Sequence, residues 1–210
     1  MKSAFITFEG TDGAGKSTQL RRLVDYYKVR GTDVVITREP GGTSLAEEIR
    51  NLLLDPGKKV VGPAEVLLYA AARAQHVEQL IKPALVAGKT VLCDRFIDSS
   101  VAYQGFGRGL PINTIMEVNH FASGGLEPDL TIVLDLSYDQ AMSRIALRTS
   151  RVGLDRIEQE QADFHRRVRE GFLWLREKFP QRVKLIDASL PQEVVFAKII
   201  EELQGARLVD

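Results

Sequence analysis

The chain reads as an α/β protein with five parallel strands in one sheet and helices on both faces. Three observations lead there. Five short apolar runs rich in β-branched residues, Phe5–Phe8, Val34–Ile36, Thr90–Cys93, Leu130–Leu134 and Val183–Ile186, alternate with longer stretches of helical periodicity. Strands separated by helices need crossover connections, which make them parallel and cover the sheet on both sides. The first run feeds directly into Gly10-Thr11-Asp12-Gly13-Ala14-Gly15-Lys16-Ser17-Thr18, a Gly-x-x-x-x-Gly-Lys-Ser phosphate loop in its strand–loop–helix setting.

That loop has a physical reading. Its glycines admit backbone angles and close approach that a Cβ would block, so freed N–H groups form an anion nest at a helix N-terminus. Lys16 adds a point charge for the β- and γ-phosphates, and the Ser17 hydroxyl suits magnesium. The loop implies a bound nucleoside triphosphate.

The remaining elements follow in order. Leu20, Leu23, Val24 and Tyr27 recur at helical spacing, and Gly31 stops that helix. Arg38-Glu39-Pro40-Gly41-Gly42 is a loop, and Ser44-x-x-Glu47 reads as a capping box opening a helix through Leu54. An Ala-rich helix runs from Pro63 to about Ala87, divided or kinked at Pro83. After the third strand, a polar helical turn from Asp98 to Gln104 leads to loose Gly105–Gly109. Pro111 opens a helix that Gly124-Gly125 ends. Ser137-x-x-Gln140 caps a helix running into a basic stretch, Arg148 to Arg156. The helix from about Gln159 to Lys178 presents Phe164, Val168, Phe172 and Leu175 on one stripe, and a last helix spans Glu193–Leu203. With 210 residues, no internal repeat and no low-complexity linker, the expectation is a single domain over 1–210, with a lid segment at about 148–158.

Composition narrows the function. Lys+Arg and Asp+Glu are both 28, so no basic excess points to a nucleic acid polymer. Cys93 is the only cysteine, which excludes a disulfide framework and a multi-cysteine zinc site; His76, His120 and His165 lack ligand-like spacing. Nothing approaches the length of a membrane span, so the expectation is a cytoplasmic protein with no membrane partner.

In a parallel sheet, ligands bind beyond the carboxyl ends of the strands, where this chain concentrates polar and Gly-rich residues. Asp94 ends an apolar strand where a carboxylate orders a metal or its waters, or else caps the next turn. Arg95 faces the same crevice, and Arg50 lies about two turns into the helix after the Gly42 loop; the planar guanidinium suits a phosphate. Tyr69 and Arg73 are neighbours at i and i+4, an aromatic plane beside a multi-donor group, which would serve a nucleobase or simply be a buried Tyr with a surface Arg. Ser100, Tyr103 and Gln104 form a second polar set. Arg148, Arg151 and Arg156 make either a solvated loop or a lid that brings an arginine to a transferring phosphoryl group.

Four motifs together resemble the thymidylate kinases of bacteria: Phe8–Thr18, Thr37-Arg38-Glu39-Pro40-Gly41-Gly42-Thr43, Asp94-Arg95 with Ser99-Ser100 and Ala102-Tyr103-Gln104-Gly105, and Leu154-Asp155-Arg156-Ile157-Glu158. The resemblance runs from Lys2 to about Leu203. It implies a P-loop nucleoside monophosphate kinase fold, a homodimer, and phosphorylation of thymidine monophosphate (dTMP) by ATP with Mg2+. It implies that Gly10–Thr18, Arg148, Arg151 and Arg156 serve ATP, and that Ser17 and Asp94 serve the metal. Asp12, Glu39, Arg50, Tyr69, Arg73, Arg95, Ser100, Tyr103 and Gln104 would serve dTMP, with Tyr69 standing where Phe is common. Asp12 would approach the sugar 3′-hydroxyl and Tyr103 would exclude a 2′-hydroxyl. Lys16, Arg95, Asp12 and a lid arginine, Arg151 first, would carry catalysis, because Gly13 occupies the loop position where other members place an arginine. The alternatives are a deoxynucleoside kinase, which needs no pair of arginines for an acceptor phosphate, and another nucleoside monophosphate kinase. A nucleotide switch or transporter ATPase lacks support, since Asn-Lys-x-Asp is absent.

Overall fold

The structure, a computed structural model, describes residues 3–149 and 154–209, the side chains of Arg148 and Thr149 excepted. Strands β1 (Phe5–Glu9), β2 (Val34–Arg38), β3 (Thr90–Asp94), β4 (Leu130–Asp135) and β5 (Val183–Asp187) form one parallel sheet in the order β2-β3-β1-β4-β5. Period-two alternation sends Ile6, Phe8 and Leu92 into one core and Phe5, Val91 and Cys93 into another on the opposite face. The first core is closed by α1 (Lys16–Val29), through Leu20, Leu23 and Tyr27, and by α9 (Gln192–Gly205), through Ile199 and Leu203.

Three chain-order expectations shift on inspection. Helix α2 (Ser44–Leu54) is capped by Thr43, not Ser44: the Thr43 hydroxyl accepts the Ala46 N–H at 3.4 Å. Glu47 instead accepts the Gly42 N–H and pairs with Arg38, pinning the loop before the helix. The Ala-rich helix is α3 (Gly62–His76) and α4 (Lys82–Val86), joined by a wide π-type turn, Val77–Ile81. The interruption thus falls just before Pro83, where the wider turn accommodates a residue with no N–H.

The third shift matters most for the site. After α5 (Ile97–Ser100) the chain continues as a wide helical turn, Val101–Gly107, so Gly105 and Gly107 are not loose. Packing is the reason. Helix α8 (Ala162–Lys178) lies against this segment, and a Cβ on Gly107 would sit 2.7 Å from the Phe164 ring, one on Gly171 2.8 Å from Ala102 Cα. All four members of the expected α8 stripe are buried, although the helix begins at Ala162. Helices α6 (Ile112–Ser123) and α7 (Tyr138–Thr149) complete the described elements.

Candidate active site

Three strand ends meet in register. Phe8 of β1 and Arg38 of β2 both lie beside Asp94 of β3, so the phosphate loop, the Arg38–Gly42 loop and the Asp94-Arg95 turn share one crevice. Gly10 (φ 126°) is required there, since a Cβ would fall 2.4 Å from the Leu134 carbonyl oxygen. Lys16 Nζ donates to the carbonyls of Gly10 (3.1 Å) and Thr11 (3.0 Å). The Ser17 hydroxyl lies 3.4 Å from Asp94 Oδ2, so a hydroxyl at the start of α1 faces a carboxylate at the end of β3. Lys16, Ser17, Arg38, Arg50, Asp94 and Arg95 line a cavity of about 420 Å3, together with Asp12 and Glu39.

Arg95 lines that cavity. Its backbone is left-handed (φ 69°), uncommon for a residue with a Cβ. Nη1 donates to the Gly10 carbonyl and Nη2 to Asp12 Oδ1, both at 2.8 Å, and the guanidinium stands 5.0 Å from the Tyr103 ring centre. Burial alone would raise the Asp12 pKa, but Arg95 and Lys16 outweigh it and hold the carboxyl well below its usual range. Burial and Arg95 together lower the Lys16 pKa; burial and Arg38 lower that of Arg50. Arg50 donates to the Pro40 carbonyl at 2.8 Å. Cations that destabilise one another around one cavity are arranged for an anion carrying several charges.

A buried polar network centred on α3 meets this cavity at Glu39. Glu65, Tyr69 and Arg73 recur every four residues along one face. Arg73 is 2% exposed. It donates through Nε to Glu39 (2.8 Å), through Nη1 to Asn119 (2.6 Å), and through Nη2 to Ser100 (3.0 Å) and the Phe96 carbonyl (3.1 Å). His76 links Glu39 (3.1 Å) to the Thr37 hydroxyl (2.6 Å). Gln104 donates to Glu65 at 2.8 Å, and Arg108 and Arg156 pair with the same carboxylate at 3.1 and 2.7 Å. Burial pushes the Glu65 pKa up, but its hydrogen bonds from Arg108 and Gln104 prevail and lower it. Tyr69 is half-buried against Ala46, Ile49 and Leu53.

A triphosphate loop, a neighbouring arginine pair and an aromatic wall with fixed polar groups describe a phosphoryl-transfer enzyme for a nucleotide. The thymidylate kinase family model matches residues 8–199. The chain belongs to the thymidylate kinase family. It is 49% identical over 210 residues to a thymidylate kinase of Geobacillus sp. (strain WCH70), covering 98% of this chain and 100% of that one. It is 49% identical over 205 residues to one from Halothermothrix orenii, covering 98% of each. The crystal structure of thymidylate kinase from Ehrlichia chaffeensis superposes with a TM-score of 0.78 at 36% identity, covering 97% of this chain and 99% of that chain. The reaction of this family is phosphorylation of dTMP to the diphosphate at the expense of ATP.

The segment expected to be a lid, about 148–158, is only partly described. Arg151 and the Arg148 side chain lie outside the described residues. Arg156 is described, and it turns to the α2–α3 side: besides Glu65, its Nε donates to the Leu53 carbonyl at 2.7 Å. Sequence reasoning missed Glu65, His76, Arg108, Asn119 and Arg144. The four-residue spacing from Glu65 to Tyr69 and Arg73 could have exposed the first; nothing local singles out Asn119. Arg144 of α7 donates to the Ala188 carbonyl at 2.9 Å and reaches toward that of Gly13. It borders a second groove of about 310 Å3 on the outer side of the loop, with Thr18, Ala188 and Gln192.

Proposed function

We propose that ATP lies with its triphosphate along Gly10–Thr18 and its base in the groove beside Arg144, Ala188 and Gln192, while dTMP occupies the cavity beyond Arg95. In this reading the thymine ring stacks on Tyr69 and meets the polar set held by Arg73, Ser100 and Gln104. Glu39 keeps Arg73 in place, Asp12 accepts the sugar 3′-hydroxyl, and Tyr103 closes the 2′ side. Arg50 and Arg95 hold the acceptor phosphate, and Lys16 stabilises charge on the transferring group. Arg151, with Arg148, supplies the lid cation. Arg156, committed to Glu65, anchors the end of that segment. Arg95 carries the reading: it spans the loop carbonyl of Gly10 and the Asp12 carboxylate, at the seam between donor and acceptor.

Ser17 and Asp94 fit Mg2+, which takes few protein ligands and fills its octahedron with water and phosphate oxygens. Bound there, the ion would neutralise charge on the triphosphate. The chain is assigned as one domain over 1–210 with 148–158 as lid. A homodimer is the expected assembly, and exposed Leu67 and Phe121, at 62% and 87%, supply apolar surface for it. Sedimentation would test it; a monomer at all concentrations overturns it. No described helix is long and apolar enough to cross a membrane, and the assigned location is the cytoplasm.

The deciding assay is ADP release with ATP, magnesium and a panel of nucleosides and monophosphates. Turnover of thymidine but not dTMP would replace this reading with a deoxynucleoside kinase. For the lid, Arg151→Ala lowers kcat more than it raises the KM for dTMP; the reverse pattern would move Arg151 to substrate binding.

A further inference from the structure

Directly under the phosphate loop lies a buried carboxylate that the reaction does not use. Glu9, the last residue of β1, is 0% exposed. Its Oε1 accepts the N–H groups of Phe96 (2.7 Å) and Ser99 (3.2 Å), and its Oε2 accepts the Ser99 hydroxyl at 2.5 Å. These donors lie one and four residues after Arg95, whose backbone is left-handed, and Ser99 Oγ also lies 3.4 Å from Arg95 Nη1. The free N–H groups at the start of the short helix α5 thus end on a side chain from a neighbouring strand. A side-chain carboxylate accepting three donors is a clamp.

We propose that Glu9 is a positioning residue for Arg95: as a carboxylate it holds the strained turn that aims the guanidinium into the phosphate crevice. This rests on the assignment of Arg95 to the acceptor phosphate. Protonation would reverse the link at Oε2. Ser99 would have to accept from Glu9 while also facing the Arg95 donor, and its own proton would lose its acceptor. The ionised form is therefore the one that orients Arg95.

The protein makes that form costly. Burial and the neighbouring Asp98 push the Glu9 pKa up to about 7, against the opposing pull of Arg95 and the hydrogen bonds from Ser99 and Phe96. The other ionisable groups that feel Glu9 are Lys16, Cys93, Tyr103 and Arg182, the last engaged in a bidentate pair with Asp98. Asp98 also accepts the Thr131 hydroxyl at 2.9 Å, so it is held in place beside Glu9.

The test is the pH profile of kcat/KM for dTMP in the wild type and Glu9→Gln. The expected wild-type profile rises through the neutral range to a plateau. In Glu9→Gln the part of that rise due to Glu9 disappears and the plateau falls roughly tenfold, the value of one weakened hydrogen bond to a charged group. The acceptor phosphate titrates nearby, but identically in both proteins, so only the difference is read. An unchanged profile and plateau overturn the proposal, and so does a uniform loss that keeps the full acid limb. Should Glu9→Gln fail to fold, Ser99→Ala removes one donor to the carboxylate; the limb then moves to higher pH, and a superimposable profile overturns the proposal. Near-normal kcat/KM in Arg95→Ala would instead remove the assignment on which the inference rests. A crippled Arg95→Ala beside an unaltered Glu9→Gln removes the inference alone.

Discussion

The two sides of the crevice are held in different ways. Around the phosphate loop, charged side chains rest on backbone carbonyls: Lys16 on those of Gly10 and Thr11, Arg144 on that of Ala188. On the side proposed for dTMP, side chains from different elements hold one another. Arg73 gathers Glu39, Asn119 and Ser100, and Glu65 gathers Gln104, Arg108 and Arg156. A triphosphate needs positive field and N–H groups, which a single loop supplies. Discriminating one base needs donors and acceptors fixed to a fraction of an ångström, which buried networks supply because an unmet partner is costly there.

If that contrast is right, removing an acceptor-side hub should damage the fold as well as the site. Glu65→Ala leaves two arginines without their shared carboxylate and should cost about 3–5 kcal/mol of unfolding free energy, read from denaturant midpoints. A loss below about 1 kcal/mol would mean that solvent replaces the carboxylate and that the wall is not preorganised. Arg95→Ala, at the seam, should leave the fold largely intact and lower kcat/KM by about 10²–10³, roughly 3–4 kcal/mol. Near-normal kinetics would take Arg95 out of the site.

The floor beneath both sides provides a third comparison. Because the Glu9 pKa is raised from 4.5 to about 7, the native state binds the extra proton between those values. Its contribution to stability is complete below pH 4.5 and declines as pH rises through about 7, a span of about 3 kcal/mol at 1.36 kcal/mol per unit. Relative to Glu9→Gln, the wild type should therefore lose stability across that window, measured by chemical denaturation at a series of pH values. Equal slopes would show that Glu9 is ionised as easily in the fold as in the unfolded chain. Arg144→Ala should have the smallest effect, about 1 kcal/mol, seen as a few-fold rise in the KM for ATP with that for dTMP unchanged. A larger change for dTMP would blur the division between the two sides.

That division also explains what could be read before any coordinates. The phosphate loop, the five strands and the α8 stripe are local patterns of period two or 3.6 or a contiguous motif, and each recurs in the structure. Glu39 was legible as part of a motif and Arg73 as the i+4 neighbour of Tyr69, but the ion pair between them, 34 residues apart, was not. The misread glycines are instructive: Gly105 and Gly107 look like a loop until α6 packs against the first and α8 against the second. Thr43 and Ser44 are chemically equivalent caps, and only the path of the Gly42 backbone selects between them.

By itself the sequence determined the sheet, the phosphate loop and the family, because those depend on residue types in short, fixed spacing. Tertiary structure alone decided that Arg73 gathers Glu39, Asn119 and Ser100, that Arg156 turns to Glu65, and that Glu9 accepts the N–H of Phe96 next to Arg95. Those choices depend on which side chains are brought together after desolvation, when each buried charge must find a partner from whichever element lies nearest.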